Sequence, residues 1–328
     1  MDDVRFPISV QPIRFADRLR KFIRQRNLAY ATEKTYIYWI MRFIKFNAYR
    51  NESEIKQQDI EPFLDALVFE RDVAKNTQSL ALNALVFLFR SFLEIDIGEL
   101  NYNRSTKSQR IPVVFTHEEA KCVLSYLQGD FKLMAELMYG SGLRIHECIK
   151  LRVHDIDFSM NQIIVRNGKG GKDRLTVLPQ KLLAVIKKQI DYVTSLHSID
   201  VKRGYGEVYL PHALALKYPN AARILGWQYL FPAIKLSCDP RSNKVRRHHI
   251  GKSTLQRQVK IAIGKTGILK QASSHTFRHA FATRLLQKGY DIRTVQKLLG
   301  HNDIKTTEIY LHIIRQGGQG VISPIDED

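Results

Sequence analysis

The chain has 328 residues, which is long enough for two domains that each bury a core of their own. Hydrophobic residues at 44% and charged residues at 25% are typical of a soluble globular protein. The 51 Lys and Arg residues against 32 Asp and Glu leave a net charge of +19, which favours nucleic acid as the partner over a merely basic enzyme.

The cysteines and the apolar segments of the sequence indicate the cellular compartment of the protein. The three cysteines lie far apart without a C-x-x-C pair, which argues against a disulfide scaffold or a zinc knuckle and fits a reducing compartment. The first residues are acidic and lack the apolar segment of a secretory signal. The most apolar run, residues 80–93, is interrupted by Asn83 and Arg90 and is too short to span a bilayer. We therefore expect a cytoplasmic protein without a membrane partner.

Four stretches with helical spacing of apolar residues fill residues 1–100. They run from Phe15 to Ile23, Tyr36 to Ile44, Ile60 to Leu67 and Leu82 to Phe92. Basic residues crowd the first two stretches, and although each one alone is best explained as a solvated surface residue, their density favours a face laid along a phosphate backbone. The pattern predicts a helical bundle that binds DNA.

Residues 101–115 have no periodicity and few apolar side chains, which predicts a linker that runs against nucleic acid. A second domain, residues 116–328, then opens with Thr116 and Glu119, whose spacing is that of a capping box. Helices are expected over residues 120–127 and 131–139. Gly140-Ser141-Gly142 ends the second of these, so Arg144 lies in the first turn of a new helix, where backbone amides also face an anion.

Three short strands follow, at residues 155–158, 162–165 and 174–178, and predict a small sheet within a mainly helical, α+β fold. A glycine-rich hairpin tip that carries Lys169 and Lys172 joins the last two. Such a tip can be a solubilising turn, but beside phosphate chemistry a lysine on it is better interpreted as reaching the reacting phosphate.

A helix over residues 180–196 precedes a segment, residues 197–250, in which regularity is lost. Aromatic and basic side chains concentrate there and suit stacking on unpaired bases together with phosphate binding. The relevant residues are Trp227, Tyr229, Arg246, Arg247, His248 and His249. The alternative is a small satellite core made of Trp227, Tyr229 and Phe231. A metal site is disfavoured, because adjacent histidines rarely bind one ion and no further ligand lies at suitable spacing.

Four final helices are predicted at residues 255–265, 276–288 after a Ser274 cap, 292–299 and 304–314. They bring His275, Arg278, His301 and Tyr310 into one basic region. Arginine matches the non-bridging oxygens of a phosphate, and tyrosine can attack phosphorus to form a covalent adduct. Taken singly, Tyr310 is more often a core residue and His301 a capping or surface residue.

Arg144, Lys169, the pair His275-x-x-Arg278, Leu-Leu-Gly-His301 and Tyr310 resemble, in order and spacing, the tyrosine recombinase (phage-integrase-like) family over residues 116–314. The segment from Leu210 to His249 and the tail after Gly317 are similar to those of integron integrases. The resemblance implies a helical core-binding (SAM-like) domain followed by a mixed, mostly helical catalytic domain with a small antiparallel sheet.

The resemblance also implies a function without a cofactor or a metal. Tyr310 would attack a DNA phosphodiester to give a 3′-phosphotyrosine, and ATP would not be needed. The six catalytic residues would be Arg144, Lys169, His275, Arg278, His301 and Tyr310. The enzyme would integrate and excise gene cassettes at integron sites on the bacterial nucleoid, as a tetramer that exchanges C-terminal segments. Folded single-stranded hairpins would be among its sites, with bulged bases captured by Trp227, Pro240, His248 and His249.

Other functions remain open from the sequence. A type IB-like topoisomerase shares the tyrosine chemistry, and a Xer-type or phage-type recombinase would act on duplex sites only. A DNA-binding protein without activity would be expected to lack one of the six residues, and none is missing. A nuclease is disfavoured, because no cluster of acidic residues offers a metal site.

Overall fold

The computed structural model describes residues 8–49, 51–107, 112–166, 172–239, 242–316 and 325. The chain divides into two compact units, Met1–Arg110 and Ile111–Asp328. Helices predominate, and two small antiparallel sheets lie in the second unit, which confirms the predicted fold class. Within the described ranges, no helix combines the length and the apolar character that a membrane span requires.

The first unit is built from the four helices that the apolar spacing predicts. They are α1 Phe15–Gln25, α2 Tyr30–Phe46, α3 Ile60–Phe69 and α4 Lys75–Val86, the last of which continues as a π-helical turn over Phe87–Phe92. Helix α2 packs against both α1 and α4. At the centre of the core, the fully buried ring of Phe43 meets Phe63 and Phe89 edge-on, with centroids 5.5 Å and 5.9 Å apart. Such edge-to-face pairs add to the stabilisation from burial alone.

Part of the segment predicted as a linker is bonded to this bundle. The buried amide of Gln78 donates to the carbonyl of Asn103 and accepts from the backbone N–H of Ser105, at 2.7 Å and 2.9 Å. Asp65 also accepts from the backbone of Asn103, and Tyr102 packs against the core of the unit. Asn103 and Ser105 are therefore fixed by side chains of α3 and α4, which an apolar pattern does not reveal.

The second unit contains nine labelled α-helices within the described ranges. They are α5 His117–Ser125, α6 Gly129–Ser141, α7 Ile145–Ile149, α8 Leu183–Lys202, α9 His212–Lys217, α10 Lys252–Lys265, α11 Ser274–Gln287, α12 Ile292–Leu299 and α13 Lys305–Gln316. The predicted capping box of α5 is confirmed: Thr116 Oγ1 accepts from the backbone of Glu119, whose carboxylate accepts from the backbone of Thr116. Helix α11 packs against α6, α12 and α13 and thereby connects the large core to the C-terminal helices.

The predicted small sheet is present. Strands β1 Ile156–Asp157, β2 Gln162–Val165 and β3 Arg174–Val177 pair antiparallel in that order. In β3 the first residue, Arg174, lies opposite Val165. A second sheet has two strands, β4 Pro232–Asp239 and β5 Lys244–His249.

Two predictions about local structure are wrong. Residues 197–250 are not irregular throughout, because α8 continues to Lys202 and the β4–β5 hairpin forms the second half. The strands were missed because their burial does not alternate, and a bulge between Pro232 and Leu236 shifts their register. Ser274 does not cap α11. Ser273 is the N-cap, and its backbone N–H donates to Thr276 Oγ1 at 2.9 Å.

Candidate active site

The C-terminal end of α12 is the point at which three arginines from distant parts of the second unit meet. Arg174 Nε donates to the carbonyl of Leu298 at 2.9 Å. The next carbonyl, that of Leu299, accepts from Arg278 at 2.6 Å and from Arg144 at 3.4 Å. The last carbonyls of a helix have no intrahelical partner and carry its negative dipole end, so they attract guanidinium groups. Gly300 then ends the helix with a φ of +62°.

Glu147 compensates the charge of these arginines. Its carboxylate accepts two hydrogen bonds of 2.7 Å from Arg174 and one of 2.9 Å from Arg144. Burial alone would raise the pKa of Glu147, but the hydrogen bonds and the charge of Arg174 outweigh it and lower this pKa to about 2. The carboxylate therefore stays ionised at neutral pH and fixes the direction of both arginines.

Arg278 is the most buried of the arginines, with 3% of its surface exposed. One nitrogen donates to the carbonyl of Gly142, and Nη2 also lies 3.2 Å from Nε2 of His301. Burial and the charge of Arg144 lower the pKa of Arg278 to about 9, so it remains a cation at neutral pH. Nδ1 of His301 lies 3.0 Å from Thr307 Oγ1, so the imidazole is held between Arg278 and Thr307.

Tyr310 lies on α13, 4% exposed, in a small core with Phe281 and Leu299. Its ring is stacked against that of His301, with centroids 6.4 Å apart and planes inclined by 15°. Burial raises the pKa of the phenol, and the charges of Arg278 and Arg144 act in the opposite direction. The phenol thus lies beside the predicted arginines and histidine of its own chain.

His275 and the hairpin lysines complete the predicted set. The imidazole of His275 is exposed in the first turn of α11, and desolvation followed by the charge of Arg278 lowers its pKa, which keeps it neutral. Lys169 lies outside the described residues. Lys172 is exposed and lines a cavity together with Arg174, Lys297 and His301.

The predicted base-binding residues are largely engaged within their own segment. Arg247 makes a bidentate pair with Asp200 at 2.6 Å and 2.7 Å, and Arg246 pairs with Asp239 at 3.1 Å. Tyr229 is 5% exposed and belongs to a small core against which Trp227 packs, whereas Phe231, the third residue of the predicted satellite core, belongs to the large core of the unit.

The remaining rings of this segment are less enclosed. Trp227 is half-buried, with its ring 4.5 Å from that of His154. His248 is half-buried and stacks on Tyr229 at 5.4 Å, and His249 contacts both rings. Pro240 lies outside the described residues.

Two residues of the site were missed at the level of sequence. Arg174 begins a strand, where an arginine is usually exposed, and its partner Glu147 lies 27 residues earlier. His279 has its Nδ1 atom 2.9 Å from the hydroxyl of Tyr310. A signal for His279 was available, because His275 and His279 are four residues apart and so lie on one face of a helix.

Comparisons with known proteins show the family of the chain. Residues 114–316 match the sequence model of the phage integrase family, and residues 15–99 match that of the phage integrase N-terminal SAM-like domain. The chain is 42% identical over 318 residues to an integrase/recombinase of Escherichia coli and equally to one of Pseudomonas aeruginosa, over 97% of this chain and 94% of each relative. It is 30% identical over 302 residues to a tyrosine recombinase of Pseudothermotoga lettingae, over 89% of this chain and 90% of that one.

Solved structures share the fold. XerH recombinase bound to a palindromic difH substrate in a post-cleavage complex is 20% identical with a TM-score of 0.59, over 92% of this chain and 82% of that one. A lambda integrase dimer bound to a COC′ core site is 17% identical with a TM-score of 0.58, over 90% of this chain and 75% of that one. The family match and the relatives aligned along nearly the whole chain show that this protein belongs to the phage integrase family and is a tyrosine site-specific recombinase.

Proposed function

We propose that the protein cuts and rejoins DNA by direct transesterification, with Tyr310 as the nucleophile. The phenolic oxygen attacks the scissile phosphorus, the bond to the 5′-oxygen breaks, and a 3′-phosphotyrosine and a free 5′-hydroxyl result. The 5′-hydroxyl of a second strand then reverses the step, so that the bond energy is kept and ATP is not needed. The observation that carries this proposal is that Tyr310, His301, Arg278 and Arg144 gather at one end of α12.

In this mechanism, the cations of the site stabilise charge that develops on the phosphate. The non-bridging oxygens gain negative charge in the transition state, and groups whose direction is already fixed stabilise it without reorganisation. Arg144 and Arg278 supply the guanidiniums, and His301 a further hydrogen bond. Glu147 and Arg174 keep the two guanidiniums in place without contacting the phosphate.

Two proton transfers accompany the reaction. The phenol has to lose a proton, and His275, neutral and exposed at the start of α11, is the acceptor we propose. The leaving 5′-oxygen has to gain a proton, for which we propose Lys169. Lys172, on the same hairpin, is its rival as general acid.

DNA as the partner is supported by the net charge of +19 and by the fold. The XerH and lambda integrase structures with this fold are bound to DNA sites. Recombination of two sites cuts four strands, so we propose that a tetramer with exchanged C-terminal segments acts on DNA in the bacterial nucleoid.

The segment between α8 and α10 supports a narrower role, that of an integron integrase which integrates and excises gene cassettes. Trp227 and His248 are both half-buried and are the rings on which a bulged base would stack. His248 itself stacks on the buried ring of Tyr229. Pro240 and His249 would complete this capture, and Arg246 and Arg247 would contribute positive charge. The enzyme would then select folded single-stranded sites by the shape of the folded DNA and by the position of the extrahelical base.

The deciding experiment offers the purified protein two suicide DNA substrates, a folded single strand and a duplex, and looks for a covalent product. Adducts with both are expected, and Tyr310→Phe should bind DNA while forming neither. An adduct formed normally by Tyr310→Phe would refute the nucleophile. Adducts with duplex alone would favour a Xer-type or phage-type enzyme, and DNA that is relaxed without strand exchange would favour a type IB-like topoisomerase.

A further inference from the structure

A histidine that none of the six proposed catalytic positions includes contacts the reacting atom of the nucleophile. His279 lies on α11, one residue after Arg278, and its Nδ1 atom is 2.9 Å from the phenolic oxygen of Tyr310. The two rings are tilted by 46°, with centroids 5.7 Å apart, so the contact is made edge to hydroxyl and is not a stacking contact. The phenol ring also stacks on the imidazole of His301.

The positions of the hydrogens on the imidazole and on the phenol decide the direction of this hydrogen bond. Burial, followed by the charges of His275 and Arg278, lowers the pKa of His279 to about 4, so its imidazole is neutral at physiological pH. The pKa of the Tyr310 phenol is raised by burial. A neutral imidazole has one bare nitrogen, and a protonated phenol has one hydrogen to give. In the tautomer that carries its hydrogen on Nε2, Nδ1 is the bare nitrogen, so the hydroxyl of Tyr310 donates and Nδ1 of His279 accepts.

The wide gap between the two pKa values also limits what His279 can do. A base this weak does not remove a proton from so weak an acid, because proton transfer is efficient only when the two pKa values approach each other. The contact instead restricts rotation about the C–O bond of the phenol and holds the oxygen at one point beside Arg278. His275, four residues earlier on the same face of α11 and exposed, is the imidazole with access to an incoming phosphate.

We propose that His279 is a positioning residue for the nucleophile: by accepting the hydroxyl hydrogen of Tyr310, it directs an oxygen lone pair toward the scissile phosphorus and keeps the phenol protonated until DNA binds. The inference rests on the proposed function, in which Tyr310 attacks the phosphate. Accurate placement of a reacting atom is worth much in rate, since a displacement of about 1 Å costs on the order of 100-fold.

The test uses the full-length protein and a suicide DNA substrate in single-turnover cleavage with enzyme in excess. His279→Leu keeps the approximate volume of the ring and removes the acceptor, and we expect cleavage to slow by about 10- to 100-fold with an unchanged Kd for DNA. His279→Asn carries an amide oxygen near the position of Nδ1, and we expect it to recover most of the rate. A merely structural histidine would not give this difference between leucine and asparagine.

The chain supplies a matched control in a second histidine–tyrosine pair. His117 Nδ1 lies 2.7 Å from the hydroxyl of Tyr139, on α5 and α6. His117→Leu removes the same kind of hydrogen bond from the same unit and should leave the cleavage rate unchanged. If His279→Leu cleaves at the wild-type rate, or if His279→Asn is as slow as His279→Leu, the inference is wrong.

A second measurement covers the case in which His279→Leu does not fold. The ¹⁵N resonance of His279 Nδ1 reports whether the nitrogen accepts a hydrogen bond, and it should shift in Tyr310→Phe, which keeps the ring and loses the hydroxyl. An unchanged resonance would overturn the inference. Absence of a covalent product with wild-type protein would instead contradict the proposed function, so the two failures are distinguishable.

Discussion

Arg174 and Glu147 are joined by two parallel hydrogen bonds of 2.7 Å, and both side chains are less than one-tenth exposed. The pair connects the first residue of β3 to the helix that follows Arg144. The same arginine reaches the carbonyl of Leu298. Arg174 thus joins the sheet to α7 and α12 around the proposed site.

Arg174→Ala is expected to lower both stability and activity. The substitution removes the two 2.7 Å hydrogen bonds of the buried Glu147 and leaves Arg144 as its hydrogen-bonded partner, and loss of one partner of a buried ion pair typically costs about 3 kcal/mol or more. We expect a loss of this size in the free energy of unfolding, measured with urea, together with slower formation of the covalent adduct. Arg223→Ala is the control, because its pair with Glu207 has an arginine that is 67% exposed, and it should cost less than about 1 kcal/mol.

Acid should destabilise the second unit through Glu147. Its pKa in the folded protein is about 2, below the ordinary value of 4.5. A depressed folded pKa contributes stability that is complete above pH 4.5 and is lost as the pH falls toward 2, and by linkage the contribution is about 3 kcal/mol. Unfolding in urea at several pH values should therefore show wild type and Glu147→Gln converging between pH 4.5 and 2. Parallel curves over that range would contradict the prediction.

Trp227→Ala should separate the two kinds of DNA site. If this ring captures a bulged base, the loss of one stacking contact costs about 1–3 kcal/mol on folded single strands and little on duplexes. Recombination of folded sites should fall by about 10-fold or more relative to duplex sites, and Trp227→Phe should restore part of it. Tyr192→Ala, which removes an exposed ring from α8, is the control. Equal loss on both substrates would count against base capture.

Gly142→Ala should destabilise the protein and displace the carbonyl that accepts from Arg278. Gly142 has a φ of +65°, and a methyl group there would lie 2.4 Å from the ring of Phe281. Its carbonyl also accepts from Arg278. Strain and overpacking together should cost about 2 kcal/mol or more. Gly267→Ala has a similar φ of +70° with open space around it and should cost about 1 kcal/mol, as thermal unfolding of both variants would reveal.

The parts of the fold that follow from local pattern were predictable. The four helices of the first unit, the three-stranded sheet and the capping box at Thr116 each leave a signal within a few residues. The β4–β5 hairpin did not, because its residues neither alternate in burial nor include a run of β-branched side chains. Arg247 of this hairpin is compensated by an acidic residue of another element, Asp200 on α8.

The candidate site, like the fold, was predictable only where the signal lies within a local motif. Arg144, His275, Arg278, His301 and Tyr310 stand in recognisable local motifs, and Glu147 follows Arg144 in one of them, but no motif indicates that Glu147 also pairs with Arg174. Arg174 was missed because its importance comes from contacts with Glu147 and Leu298, residues distant along the chain. His279 was missed because its contact with the Tyr310 hydroxyl forms only when α13 packs against α11, which the local sequence does not indicate.

The end of α12 has one more consequence. Its last two carbonyls accept from three guanidiniums that arrive on α7, β3 and α11. Insertion or deletion of a single residue in α12 would rotate those acceptors by about 100°. All three arginines would then lose their hydrogen bonds to α12 together, although every residue of the motif kept its identity. A change in the length of α12 should therefore impair the site as severely as the substitution of one of these arginines.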